Sequence, residues 1–381
     1  MTAPLIVLST GGTGGHMFPA QALAETLIAR GYRIELITDR RGDAYSAPLD
    51  KINRHAIQAA GISGRGVIAK IGALIRLTVG YFQARMLLRS LNPDVVVGFG
   101  GYATVPTLLA ASQLGIKTAI HEQNAVLGRA NRVLAPRATR VATAFKTTTF
   151  LRNADRAKAV WTGNPVRPEI IAVRDSAAPT LLKGEPIELL VIGGSQGASI
   201  FSQVVPAAIA ALPDDLRRRV RVVQQCRKED LEQVRENYAQ AQIEAELSHF
   251  FGDIPQRLAA AHILICRAGA STMAELTTAG RPAILVPYPH AIDNHQTANA
   301  ARLCDAGGAW MMPDRDFTPM LLTGRLSSLF SMDTTLPMAA RCAAQIGMPE
   351  ATERLADVIV GIIGTNGEGD GRRNSVKEAA A

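Results

Sequence analysis

Short aliphatic runs alternate along this chain with longer segments of helical period. Residues 5–8 form an apolar run that ends in glycine, a helical pattern follows over about 19–30, and Gly31 closes it. Residues 33–38 read as a second strand, and further strands are expected at 94–98, 118–121 and 140–143. The pattern then restarts. A strand at 187–192 runs into a second glycine-rich segment, and 220–223, 263–266 and 283–286 continue the series. Strands alternating with helices predict parallel sheets covered on both faces. Two such series predict an α/β chain of two Rossmann-like domains. Asn164-Pro165-Val166-Arg167-Pro168 and the polar stretch to about Pro186 carry no clear period and read as the linker. The expected domains are 1–166, completed by a C-terminal helix near 349–363, and 167–348. Residues 364–381, rich in glycine and charge, are expected to form a disordered tail.

Composition narrows the class. A chain of 381 residues suits two domains. It is 47% hydrophobic but only 5% aromatic, so aliphatic side chains must pack the cores, as in buried parallel sheets. The formal charge of +8 is consistent with plain solubility, an anionic membrane surface or a phosphorylated substrate. Nucleic acid is not expected, because no basic run is interleaved with aromatics. Cys226, Cys266, Cys304 and Cys342 form no CxxC pair and read as free thiols of a reducing compartment. The run at 5–8 is too short for a signal peptide, and no stretch approaches the roughly 20 apolar residues that span a bilayer. A cytosolic protein is expected, unless it meets a membrane from the side.

In two doubly wound halves, ligands bind outside the carboxyl ends of the strands, in loops facing a shared cleft. The first such loop is Ser9-Thr10-Gly11-Gly12-Thr13-Gly14-Gly15-His16. Its glycines let backbone approach a ligand, and the helix that follows points N–H groups at anions. A tight strand-to-helix turn is the bland alternative. The spacing fails the G-x-G-x-x-G fingerprint of dinucleotide sites, although Asp39 lies near the right distance, and no lysine makes it a P-loop. His16 can move a proton near neutral pH, or be structural. Gly193-Gly194-Ser195-Gln196-Gly197-Ala198 offers a second anion seat, and Gly98-Phe99-Gly100-Gly101-Tyr102 a third glycine loop. His121-Glu122-Gln123-Asn124 gathers four polar side chains at a strand end. In the segment 266–275, Ser271 or Thr272 is expected to cap a helix, Arg267 to neutralise a phosphate, and Glu275 to accept from sugar hydroxyls. Asn294 and Gln296 suit sugar hydroxyls, with Asp293 beside them. Without a D-x-D pair or a histidine cluster, neither a cofactor nor an obligatory metal is expected.

Taken in order, the segments 11–16, 121–124, 164–167, 193–198 and 266–275, with Gln296, resemble the MurG family. Its members are UDP-N-acetylglucosamine:undecaprenyl-diphospho-muramoyl-pentapeptide N-acetylglucosaminyltransferases of peptidoglycan synthesis. The likeness covers nearly the whole chain except its tail. It implies a glycosyltransferase-B fold and transfer of GlcNAc, with inversion, to the 4-hydroxyl of MurNAc on lipid I, giving lipid II. It implies a peripheral protein on the cytoplasmic face of the inner membrane. Cell shape, cell division and other cell-wall synthesis proteins as partners follow from the same likeness. Thr13, Gly14 and Gly15 would line the donor and acceptor cleft, and Asn124 would contact the transferred sugar. Arg167 and Ser195 would contact the diphosphate side, and Phe251 the uracil through its backbone. Ala270, Ser271, Thr272, Met273, Ala274 and Glu275 would wrap phosphate and ribose, with Glu275 on the ribose hydroxyls. Gln296 would hold the GlcNAc. Phe251 stands where a smaller aliphatic is expected, and the loop before Gln296 is about one residue longer than in some relatives.

An inverting transfer needs a base for the acceptor hydroxyl. His16 and Glu122 both remain candidates, Glu122 either as base or as partner to a histidine. A lipid acceptor calls for a membrane face. Ile68, Ile71, Ile75, Val79, Phe82 and Met86 recur at helical steps, with Arg65, Lys70, Arg76 and Arg85 around them. Core packing is the alternative reading of that stripe, and the lipid acceptor favours the membrane. The rival functions are a UDP-GlcNAc epimerase or other glycosyltransferase-B-fold enzyme, a nicotinamide oxidoreductase and a non-catalytic scaffold.

Overall fold

The computed structural model describes residues 3–11, 14–39, 52–59, 67–176, 178–194 and 197–364, with the backbone alone for 67–70. Thr13, Ser195, Arg65 and the expected tail from 365 onward lie outside the described residues, as do the side chains of Ile68 and Lys70. The chain divides into two compact units. One holds residues 1–165 and 350–381, the other 166–349.

The first unit is built on a seven-stranded sheet. Its strands are β1 (Leu5–Ser9), β2 (Arg33–Thr38), β3 (Asn53–Ala56), β4 (Val95–Gly98), β5 (Lys117–Glu122), β6 (Arg140–Thr143) and β7 (Ala159–Trp161), in the order β3-β2-β1-β4-β5-β6-β7. Every pairing is parallel. Side chains alternate between faces along a strand. Ile6 and Leu8 therefore pack with Met17, Leu23 and Leu27 of helix α1 (Gly14–Ala29), while Val7 packs on the other face with Val96, Leu108 and Ile120. The helix Ala351–Gly364 returns to this unit and adds Leu355, Ile359 and Ile362 to the core beside α1. Arg30 pairs with Glu353 and, at 2.7 Å, with Asp357.

The second unit holds β8 (Ile187–Ile192), β9 (Val220–Gln225), β10 (Glu244–Ser248), β11 (Ile263–Cys266), β12 (Ala283–Leu285) and β13 (Ala309–Met311), in the order β10-β9-β8-β11-β12-β13. It too is parallel throughout. Ile187, Leu189 and Val191 face the helix Ser199–Ala210, and Leu190 faces the helices 254–260 and 270–279.

Each sheet reverses its strand order once, between β1 and β4 in the first unit and between β8 and β11 in the second. In parallel sheets such a switch point opens a crevice at the carboxyl ends of the strands, because the chain leaves the two strands in opposite directions. The glycine-rich segments fall at these two places.

The structure also revises several boundaries. The helix expected from residue 19 begins at Gly14, which places Gly14, Gly15 and His16 in its first turn and Pro19 inside it. The expected linker contains the short helix Pro168–Val173.

Candidate functional site

At the first switch point the loops after β1 and β4 touch. Gly11 donates to Gly100 O at 3.0 Å, and Thr104 Oγ1 donates to Gly100 O at 2.6 Å. The contact is backbone on backbone. A Cβ on Gly101 would stand 2.6 Å from Gly11 Cα, and Gly100 and Gly101 hold φ of +90° and +84°. Only glycine meets both conditions without strain. The same two residues form the wall against which the His16 ring lies, since a Cβ on Gly100 would come 3.2 Å from His16 Cε1. His16 is thus half-buried in the first turn of α1, beside glycine backbone.

The four polar residues after β5 divide into two pairs. His121 is fully buried; its Nε2 lies 3.0 Å from Gly163 O, and Gln123 Nε2 lies 3.2 Å from its Nδ1. The two contacts together fix a tautomer in which Nε2 carries the proton and donates to the carbonyl. Burial, with the nearby His16 charge adding to it and the Gly163 bond opposing it, lowers its pKa to about 4. Gln123 also donates to Phe99 O at 2.9 Å, tying this segment to the glycine loop after β4. Glu122 is buried as well. Its Oε1 accepts from the Asn124 N–H at 3.0 Å and Asn124 Nδ2 at 3.2 Å, and its Oε2 from the Gly128 N–H and Asn131 Nδ2, both at 2.8 Å. Four donors leave this carboxylate fully engaged, with half-buried Asn124 held at the turn's surface.

In the second unit, β8 ends at Ile192, just before Gly193, and the helix Ser199–Ala210 begins behind Ala198, a cap without a polar side chain. Phe201 N–H bonds Ala198 O at 2.9 Å, so in that first turn the Ser199 and Ile200 N–H groups are those that no capping side chain meets. Gln225, at the end of β9, accepts from the Gly193 N–H and donates to His249 O, both at 3.2 Å. After β10, Phe251 is buried beneath the Arg257 guanidinium, 4.1 Å from its ring centroid. Arg257 in turn binds Glu246 through two bonds of 2.7 Å and Asp253 at 2.8 Å. The Phe251 ring is therefore committed to packing, and the exposed aromatic beside it is Phe250. Neither Phe250 nor Arg257 was singled out in the sequence.

The residues after β11 lie on the helix Ala270–Ala279. Its cap is Gly269, so neither Ser271 nor Thr272 serves as the cap. The Met273 side chain is turned into the core, and its N–H bonds Gly269 O at 2.9 Å. Glu275, one turn on, is bound by Arg167 at 3.0 Å. Burial pushes the Glu275 carboxyl up, and Arg167 opposes that shift. Arg267 is tied to the neighbouring strand ends. Its Nη1 donates to Asp314 at 2.6 Å and to the Val286 and Pro287 carbonyls, all within the second unit. After β12, Asp293 and Asn294 both hold φ of +53°, which swings the chain into the helix His295–Asp305. Gln296 Oε1 there accepts from the Tyr288 N–H at 2.9 Å. Ser271, Ala274 and Gln296 are all half-buried. The carboxyl ends of β8 to β12 thus bring Gly193, Arg227, Phe251, Ala270, Glu275 and Gln296 to one side of one sheet, whereas Asn124 and His16 belong to the other unit.

Comparison with known proteins gives this arrangement a family. The glycosyltransferase family 28 N-terminal domain matches residues 6–143, and the glycosyltransferase family 28 C-terminal domain matches 188–355. The chain is 54% identical over 360 residues to the UDP-N-acetylglucosamine--N-acetylmuramyl-(pentapeptide) pyrophosphoryl-undecaprenol N-acetylglucosamine transferase of Paramagnetospirillum magneticum, covering 94% of this chain and 97% of that one. It is 51% identical to the protein of the same name from Rhodospirillum centenum, over 98% and 97% of the two chains. The crystal structure of Acinetobacter baumannii MurG superposes with a TM-score of 0.76 at 30% identity, over 94% of this chain and 99% of that one. A UDP-GlcNAc 2-epimerase from Neisseria meningitidis, at 12% identity and a TM-score of 0.63, shares the fold alone. A two-unit α/β glycosyltransferase with relatives this similar along its whole length belongs to glycosyltransferase family 28 and, within it, to the MurG family.

Proposed function

We propose that this enzyme transfers GlcNAc from UDP-GlcNAc to the 4-hydroxyl of MurNAc in undecaprenyl-diphospho-MurNAc-pentapeptide. The observation that carries the proposal is the full-length likeness to transferases named for that donor and acceptor. Glycine loops at both switch points agree with a phosphorylated donor and a second substrate. The second unit takes the donor: Gly193, Ser195 and the helix from Ala270 meet the diphosphate, Glu275 the ribose, backbone at Phe251 the uracil, and Gln296 the sugar. The first unit takes the acceptor, with Thr13, Gly14 and Gly15 around it and Asn124 on the transferred sugar.

In the reaction the base removes the proton of the acceptor 4-hydroxyl. That oxygen bonds to C1 of GlcNAc from the face opposite the diphosphate, the C1–O bond breaks, and UDP leaves with the electron pair. His16 is the base in this reading, because its half-buried ring lies in the first turn of α1 against the glycine backbone of the first switch point. Glu122 serves as a positioning residue. Its two oxygens already accept four bonds, so its charge holds Asn124 in place.

The acceptor's lipid is met by helix α2 (Val67–Leu91). Ile71, Leu74, Ile75, Val79, Phe82 and Met86 are exposed along it, from 37% at Val79 to 73% at Met86, which speaks against core packing of this stripe. Arg76, Arg85 and Arg89 lie on the same helix and suit an anionic surface. No helix among the described residues is long and apolar enough to cross a membrane. A peripheral position on the cytoplasmic face of the inner membrane, with a role in cell shape and division, follows from this reading.

UDP release, measured with and without a lipid I analogue, tests the function. Release that requires the analogue is expected. Conversion of UDP-GlcNAc in its absence would point to an epimerase instead.

A further inference from the structure

The donor's diphosphate gains charge as it leaves, and a helix N-terminus offers only about half an elementary charge. A full cation is needed beside it. At the carboxyl end of the second sheet, Arg267 is bound to Asp314 and Arg167 to Glu275. Arg227 differs. It lies two residues past the end of β9, the neighbour of β8, and is exposed. Among the described residues no carboxylate lies within ion-pair distance of its guanidinium.

Its place is fixed by the glycine loop. Gly197 holds φ of +68°, and a Cβ there would stand 3.0 Å from Arg227 Cγ and 3.5 Å from its backbone N. The arginine stem therefore lies against Gly197, where any larger residue would displace it. Gln225, on the same strand end, is bonded to the Gly193 N–H and to His249 O. The strand end that leads into Arg227 is thus tied to Gly193 and to the His249 carbonyl.

We propose that Arg227 binds the diphosphate of the donor nucleotide and stabilises the departing UDP. This rests on the assignment of the second unit to the donor. A guanidinium carries a planar fork of donors suited to phosphate oxygens, which also makes the contact directional.

Calorimetric titration of UDP and of uridine into the full-length protein and its Arg227→Ala and Lys228→Ala variants tests this. Arg227→Ala should weaken UDP by about tenfold or more. Uridine binding should be unchanged, and Lys228→Ala should bind both ligands as the unaltered chain does. Three results would overturn the proposal: UDP bound equally well by Arg227→Ala, uridine weakened as much as UDP, or an equal loss in Lys228→Ala. An unaltered chain that binds no UDP would instead remove the donor assignment itself, and Arg227 with it.

Discussion

Two imidazoles near each other in the first unit have opposite characters. His16 lies half-buried on glycine backbone, and His121 is sealed between Gly163, Gln123 and Phe99. His16→Ala should lower turnover by about 10²-fold or more while UDP binding persists; steady-state rates beside UDP calorimetry check it, and unchanged turnover would remove His16 from the chemistry. His121 bears on stability. Its folded pKa of about 4 lies below the ordinary value near 6.5, so between these the unfolded chain binds the extra proton. Stability is full above about pH 6.5 and falls as pH drops toward 4, by up to roughly 3 kcal/mol. Urea unfolding of the unaltered chain and His121→Asn across that window should show a shallower slope in the variant. Equal slopes would refute the assignment. Sequence made both histidines candidates for attention, but only their burial separates them.

Among elements, α2 and the edge strands are the most instructive. The apolar stripe of α2 could be read as core or surface from its period alone, and exposure decides it. Ile75→Glu with Phe82→Glu should weaken sedimentation with anionic vesicles by tenfold or more while leaving the melting temperature in place, since both side chains are more than half exposed. Vesicle binding that survives the double substitution would count against the membrane face. The aliphatic runs made β1, β2, β4, β5, β6, β8, β9, β11 and β12 legible. The four unread strands, β3, β7, β10 and β13, are the edges of the two sheets. Edge strands pair on one side only and are partly solvated, so they need no unbroken apolar run. β3 reads Asn-Arg-His-Ala and β10 Glu-Ala-Glu-Leu-Ser.

At the scale of the whole molecule, the helix Ala351–Gly364 follows the second unit in sequence yet fills the core of the first, with Leu355 and Ile359 fully buried beside α1. Leu355→Ala should cost about 2–5 kcal/mol, and the loss should fall on that unit. The chain's two tryptophans permit the test, because Trp161 belongs to the first unit and Trp310 to the second. Single-tryptophan variants should show an earlier transition from Trp161 and an unmoved one from Trp310. Equal shifts in both would mean the units unfold together.

Sequence by itself determined the α/β class, the restart of the strand series, the glycine-rich loops and the family likeness, because buried strands and close backbone approaches demand particular residue types. Tertiary structure decided which charged groups pair. Arg167 and Glu275 lie 108 residues apart, and Arg267 and Asp314 47 apart, so no local pattern announces that they pair. Glu122 is in sequence a second candidate beside His16, as base or as partner to a histidine, and only the turn that folds back onto it shows that its Oε2 accepts from the Gly128 N–H and Asn131 Nδ2. Arg227 stands in no motif, and its contact with Gly197 exists only once β9 lies beside β8. Local pattern records what a residue can bury, whereas the partner that consumes or spares its charge is set by the fold.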